Sequence, residues 1–151
     1  AYCSMNVLNK GSSYNMHQII YTFEGYEIHR SYDGGKQTWS EYAWVNPPMA
    51  LGVEYRTTEL YLGKPVYTQV INCGSMPDIG SSKNVSIAAF NVDIVTFISG
   101  WCTYYGSMID ATILGMAMSA NTANIVIKNL DREVNSNAVM YALVKYTKTT
   151  D

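Results

Sequence analysis

Hydrophobic and polar residues alternate along the chain from Ile19 onward, in short runs separated by turn residues. Apolar residues recur at every second position in 19–23, and the same period continues in 26–32, where only Arg30 among the alternate residues is polar. A third run over 38–45 is rich in Trp and Tyr. Period-two alternation predicts half-buried strands, and the glycines between the runs allow the positive φ that tight hairpin turns require. The pattern predicts a three-stranded antiparallel meander over 19–46, after an extended lead-in over 1–18.

Pro47 and Pro48 interrupt this pattern, because a proline cannot donate to a sheet ladder. We therefore expect 47–57 to be a linker to a second unit over 58–151. In the segment 138–147, apolar residues occupy both faces, which is typical of a strand covered on both sides. The predicted fold class is all-β, an antiparallel β-sandwich of jelly-roll type preceded by the small meander. Further strands of the second unit are predicted at 60–62, 66–73, 85–90, 92–99 and 125–128.

The segment 108–119 is open to two interpretations. Ile109, Ile113 and Met116 recur at helical spacing, and Ala, Met and Leu favour helices. Gly115 interrupts the segment, which is also short for a helix. We therefore prefer a strand here and keep the helix as the alternative.

Composition and charge narrow the classes of function. The chain has 151 residues, with 10 Lys and Arg against 12 Asp and Glu, and a net charge of −2. This balance argues against nucleic-acid binding, which needs a basic surplus to neutralise phosphates. We expect no membrane insertion, because no apolar run approaches the roughly 20 residues of a membrane helix. The three cysteines lack a CxxC pair, so we predict neither a disulfide framework nor structural zinc, and we expect folding in a reducing cytoplasm.

The segment 63–78, GKPVYTQVINCGSMPD, resembles the opening of a C-terminal domain common in tail fibres of phages and prophages. The family typically continues with a G-x-(L/M)-P element, here 74–77. It tends to close with an Asp-Arg element and a final Tyr-Thr-Lys, here 131–132 and 146–148. The preceding YDGGKQTWSEYAWV, residues 32–45, is similar to the small knob-like repeat of phage fibres and pyocins. Together these resemblances cover roughly residues 18–151.

This resemblance implies host-cell recognition and attachment by the distal part of a phage or phage-like tail fibre. The partner would be a bacterial surface glycan or surface protein. The location would be the virion tail fibre, or a phage-derived particle, made in the bacterial cytoplasm. The alternative is a structural trimerisation or capping domain of the fibre that contacts no receptor.

The resemblance also implies a homotrimer that contacts other tail-fibre segments. The apolar residues on both faces of the meander support this expectation, since so small a sheet cannot bury two faces by itself. We expect the strand 138–147 and part of the meander to lie at or near the three-fold axis.

The segment 100–110 departs from the family pattern, and variable segments of this kind often carry target choice in such fibres. Trp101, Tyr104 and Tyr105 crowd it, and Asp110 ends it. Tyr and Trp offer rigid apolar faces that stack on sugar rings, so we predict these four residues as the ligand-binding site. For Trp101 the general burial of large aromatic residues favours a place in the core instead. Tyr104 and Tyr105 are adjacent in sequence and would face opposite sides of a strand.

We expect no enzymatic activity, no cofactor and no metal ligands. The two histidines, His17 and His29, have no metalloprotease-like spacing. A glycosidase would need two carboxylates held at a fixed separation, and the available acids fall mostly at predicted strand ends or turns. These acids are Glu54, Glu59, Asp78, Asp93, Asp110, Asp131 and Glu133.

Overall fold

The computed structural model describes residues 4–9, 15–104, 106–112, 116–130 and 138–151. These residues form thirteen strands and one 3₁₀ turn, Ala88–Phe90. In chain order the strands are β1 (Ser4–Asn9), β2 (Met16–Tyr21), β3 (Glu27–Asp33), β4 (Thr38–Trp39), β5 (Ala43–Trp44), β6 (Glu54–Tyr61), β7 (Lys64–Ser75), β8 (Ser82–Ser86), β9 (Val92–Tyr104), β10 (Ser107–Asp110), β11 (Met116–Ala120), β12 (Asn124–Asn129) and β13 (Val139–Lys148). The all-β prediction is confirmed.

Ten of these strands form one large sheet, and the other three form a small one. The large sheet has the order β1-β2-β3-β5-β6-β7-β13-β9-β10. The tenth strand, β4, pairs with β3, as β5 also does. The small sheet has the order β11-β12-β8. Strand pairing is antiparallel except between β5 and β6, which run parallel where Trp44 meets Thr57. A single sheet therefore runs from the N-terminal meander into the sandwich.

Strand β13 lies between β7 and β9 and forms the centre of the hydrophobic core. Alternate side chains of this strand point at the small sheet and are inaccessible to water, as are their counterparts on β12. Burial of each Val, Ile or Met side chain among them contributes about 1.5–3 kcal/mol. The inaccessible side chains are Met140, Ala142, Val144 and Tyr146 of β13 and Ile125 and Ile127 of β12.

The two sheets approach one another closely at Gly100 of β9. A Cβ atom at this position would lie 2.0 Å from Sδ and 2.5 Å from Cε of Met118 on β11. Gly100 O also accepts a hydrogen bond from Ala111 N, at 3.0 Å, in the segment that follows β10. A side chain at this position would force the end of the Met118 side chain to shift, so glycine lets the backbone pass beneath Met118 as it stands.

Local structure differs from the sequence-based expectations at several element boundaries. Strand β1 and the first residues of β2 lie in the segment 1–18, which we expected to be an extended lead-in. The two strands pair with each other. Strand β6 begins at Glu54, inside the segment 47–57 expected as a linker. In the segment 108–119, β10 and β11 confirm the strand interpretation for the described residues, and 113–115 lie outside them. The boundaries differ because pairing with a neighbouring strand, rather than the periodicity of the strand itself, decides where each strand begins.

We expect Met140→Ala to lower the free energy of unfolding by about 2–5 kcal/mol, because it opens a cavity in the centre of the core. Met108 is 69% exposed on β10, so Met108→Ala is the matched control, with an expected change within about 0.5 kcal/mol. Urea unfolding followed by tryptophan fluorescence measures both values. Equal losses in the two variants would contradict the described packing.

Candidate functional site

Trp101 and Tyr141 form a stacked aromatic pair at one end of the large sheet. Trp101 of β9 lies opposite Tyr141 of β13 on one side and opposite Asp110 of β10 on the other. The two rings are 5.9 Å apart between centroids, with 17° between their planes. Both side chains are half-buried. The three residues form one row across three neighbouring strands.

The alternation of β9 and β13 places this row on the face of the sheet that points away from the core. Cys102 and Met140, the next residues on each strand, are fully buried between the sheets. Because successive side chains of a strand point to opposite faces, Trp101 and Tyr141 must face outward. The expectation that Trp101 packs in the core is wrong.

Asp110 holds its carboxylate in a fixed position at the end of β10. Its Oδ1 accepts hydrogen bonds from the backbone N of Thr112, at 2.8 Å, and from the Thr112 hydroxyl. These bonds stabilise the charged form and hold the pKa of Asp110 below its ordinary value. The carboxylate is exposed and stays ionised, so it can accept hydrogen bonds from a ligand.

The same face continues along β9, β10 and β13, and we call it the outer face. At the hairpin end, Met108 is 69% exposed and lies opposite Thr103. Phe97, six residues before Thr103 along β9, is 47% exposed and lies opposite Lys145. The outer face consists of Phe97, Ser99, Trp101, Thr103, Met108, Asp110, Val139, Tyr141, Leu143 and Lys145.

The structure brings together two of the four predicted site residues, Trp101 and Asp110. Tyr104 is the last residue of β9 and pairs with Ser107, but its side chain lies outside the described residues, as does the whole of Tyr105. Sequence analysis missed Tyr141 as a site residue. The signal was present, because alternation in β13 puts Tyr141 and Leu143 on the face opposite Met140.

Three of the acids considered for glycoside hydrolysis form ion pairs with lysines. Lys148 Nζ bonds Glu54 at 2.5 Å, Lys145 Nζ bonds Glu59 at 2.6 Å, and Lys64 Nζ bonds Asp93 at 2.7 Å. Asp131 and Glu133 lie outside the described residues. In the described part of the chain, no group of three or more His, Cys, Asp or Glu residues is arranged to hold a metal ion.

The thiols of Cys73 and Cys102 are buried in the core. Burial raises the pKa of Cys73 to about 11 and raises that of Cys102 as well. A thiol held in its protonated form is a poor nucleophile.

Among the described helical segments, none is long and apolar enough to span a membrane.

A charged and aromatic cluster joins β6 and β7 to the C-terminal strand. The Tyr146 hydroxyl donates to Glu54 Oε2, and Glu54 Oε1 accepts from Lys148. The Lys148 ammonium lies 4.4 Å from the centre of the Tyr67 ring. Burial, reinforced by Glu54, raises the pKa of Tyr146, and burial with help from Asp151 raises the pKa of Tyr67 to about 12.

Comparison with known proteins gives one match. No family model matches the chain, and no curated protein matches it. Among solved structures, the chain is similar to the C-terminal residues 323–701 of the R1 pyocin fibre of P. aeruginosa, with a TM-score of 0.34 and 9% identity. The match covers 93% of this chain and 56% of the pyocin chain, so this chain spans little more than half of that structure. A TM-score of this size does not establish a common fold, and the comparison assigns no function.

We expect the stability of the protein to fall as pH rises from 10 to 12. The unfolded chain loses the Tyr67 proton near its ordinary pKa of 10.0, whereas the folded chain keeps it until about pH 12. The stabilisation is therefore complete below pH 10 and is lost on the way to pH 12. Tyr67→Phe removes this contribution, so its stability should decline less steeply over the same interval. Urea unfolding at several pH values tests this, and parallel curves for the two proteins would contradict it.

Proposed function

We propose that this chain is the distal, receptor-binding part of a phage or phage-like tail fibre, and that its outer face attaches to a bacterial surface glycan or surface protein. The motifs in 32–45 and 63–78 suggest the fibre family. The observation that carries the binding role is the half-buried Trp101–Tyr141 stack beside the oriented carboxylate of Asp110.

The chemistry of this row suits a sugar ring. A stacked aromatic pair offers a rigid apolar surface for the C–H face of a sugar, at little cost in side-chain entropy. Asp110 accepts hydrogen bonds from hydroxyl groups at the edge of that surface. The Thr112 bonds fix the carboxylate before binding, which reduces the entropy lost when a ligand docks. The row lies on a rigid sheet rather than on a free loop, so its geometry is preorganised.

The other end of the outer face suits contact between copies of the chain. Phe97 supplies apolar area there, about 13 Å along the strand from Trp101 at roughly 3.3 Å per residue, and Leu143 lies about halfway between them. We propose a homotrimer in which the Phe97 end faces the neighbouring copies and the Trp101 end stays free at the tip. Three weak sites on one tip would bind a repetitive cell surface far more tightly than one site.

The alternative is a structural trimerisation or capping domain with no receptor contact. The exposed apolar side chains of Met108 and Phe97 favour it, because a trimer that covered the entire outer face would leave no surface for a ligand. The two functions differ in one measurable respect. In the structural alternative, substitution of Trp101 weakens assembly and leaves any binding per assembled particle unchanged.

We expect Trp101→Ala to weaken binding to susceptible bacterial cells or to an arrayed glycan by about tenfold or more, equivalent to about 1.4 kcal/mol. The reason is the loss of the stacking surface. Trp39→Ala is the matched control, because Trp39 is a partly exposed tryptophan on the meander, 37% exposed. Cell-binding assays and glycan arrays with the purified trimer measure both. Equal binding by Trp101→Ala and the unaltered protein, or binding to no host surface at all, would overturn the proposed receptor role.

We expect the purified chain to sediment as a trimer at micromolar concentration, and Phe97→Lys to shift it toward monomer. The substitution would place a charge in the desolvated centre of the contact, where charged residues are depleted. Ile79→Lys is the matched control, because Ile79 is similarly exposed, at 49%, but lies in a loop away from the outer face. Analytical ultracentrifugation decides the matter. A stable, folded monomer for the unaltered chain would contradict the trimer.

A further inference from the structure

The two histidines of the chain meet on the meander, although they are 12 residues apart in sequence. Residue His17 lies opposite Ser31 in the β2–β3 pairing, and His29 lies opposite Ile19, so the two rings are diagonal neighbours on one face. His17 Nε2 and His29 Nδ1 are 3.2 Å apart, and the ring planes are nearly perpendicular, at 83°. Each ring thus directs one nitrogen at the other.

The outward nitrogen of each ring has a partner of its own. His17 Nδ1 lies 3.0 Å from the Ser31 hydroxyl, and His29 Nε2 lies 2.5 Å from Glu27 Oε1. With both rings uncharged, the Ser31 hydroxyl donates to His17 Nδ1. His17 Nε2–H then donates to His29 Nδ1, and His29 Nε2–H donates to Glu27. The Glu27 carboxylate therefore leaves the lone pair of the His29 ring on Nδ1, the nitrogen that faces His17.

The spacing of the inner nitrogens fits two ligands of a single metal ion. For Zn–N bonds of 2.0–2.1 Å in a tetrahedral site, two ligand nitrogens lie about 3.3 Å apart. The partners of the outer nitrogens also match metal sites, in which a ligating histidine gives its second N–H to a carboxylate or another acceptor. Two independent features, the spacing of the inner nitrogens and the outer hydrogen bonds, therefore point to the same arrangement.

The pair opens onto a groove of about 370 Å³ that a hydrated ion can enter. The groove is lined by hydroxyl groups, among them Ser31 and Ser40, and by two arginines, Arg30 and Arg56. Arg30 donates through Nε to Gln18 Oε1, and its guanidinium lies over the Trp39 ring, 4.3 Å from the ring centre. The cationic side chain of Arg56 is directed at another group, since its Nη1 donates to the carbonyl oxygen of Glu41 at 3.2 Å. The His29 side chain is 22% exposed, so solvent reaches the ring. The negative charge of Glu27 against His29 favours a cation at this place.

We propose that His17 Nε2 and His29 Nδ1 bind one divalent transition-metal ion such as Zn²⁺, with water completing its coordination. Imidazole nitrogen suits Zn²⁺, Co²⁺, Ni²⁺ and Cu²⁺, whereas Mg²⁺ prefers oxygen ligands. When the ion binds, the proton of His17 Nε2 moves to Nδ1, and the Ser31 hydroxyl turns to accept it. His29 keeps its proton on Nε2 toward Glu27. No proton is released when both rings start uncharged.

The test is titration of the chelator-treated 151-residue chain with Zn²⁺ by calorimetry, and with Co²⁺ by visible absorption. We expect one saturable ion per chain and no response to Mg²⁺. The chain has no histidine besides this pair, so His17→Gln and His29→Gln should each abolish binding. Cys3→Ser is the control for a thiol ligand and should leave binding unchanged.

A second pair of variants separates metal binding from folding. Glu27→Gln should weaken Zn²⁺ binding by about tenfold, because it removes the charged partner of His29. Glu24→Gln is the matched control in the exposed turn before β3 and should bind as the unaltered protein does. In the unaltered protein, nitrogen NMR should show Zn²⁺ shifting His17 Nε2 and His29 Nδ1. Absence of saturable binding, or binding that survives loss of either histidine, would overturn the proposal.

Discussion

The burial of one face of β13 under the small sheet is the interaction on which the rest of the structure depends. Four alternate side chains of this strand, from Met140 to Tyr146, are inaccessible to water, and β7 and β9 are paired along its two edges. Since the pleat has a period of two, burying Met140 fixes Tyr141 on the opposite face. The outer face is therefore a consequence of the core, and Trp101 takes its orientation from the same register.

The electrostatics of the chain follow from its low charge. Several of the described carboxylates in the sandwich are held by lysines or by tyrosine, as Glu54 is by Lys148 and Tyr146. These ion pairs link β6 to β13 across β7, and β7 to β9 across β13, so they tie together the four central strands of the large sheet. Asp110 differs, because its partner is the neutral Thr112 and its charge faces solvent. A carboxylate that is oriented but not neutralised remains available to a ligand.

Sequence periodicity predicted the fold class and most strands, because alternation records which side chains face the core. It predicted less well where pairing overrides local pattern. β1 lies in a stretch without clean periodicity and still pairs with β2. β6 begins inside the segment expected to be a linker. The parallel contact of Trp44 with Thr57 joins strands separated by the two prolines, and no local feature announces it.

For the candidate sites, the sequence by itself determined which chemistry was available: aromatic residues and an acid in 100–110, and only two histidines. The tertiary structure decided which of these groups meet. Trp101 lies beside Tyr141, which is 40 residues later in the sequence, and His17 contacts His29 on the neighbouring strand of a hairpin. The physical reason is that a sheet sets neighbours by register, which depends on the pairing of distant strands. Composition and spacing along one strand carry no record of the partner's register.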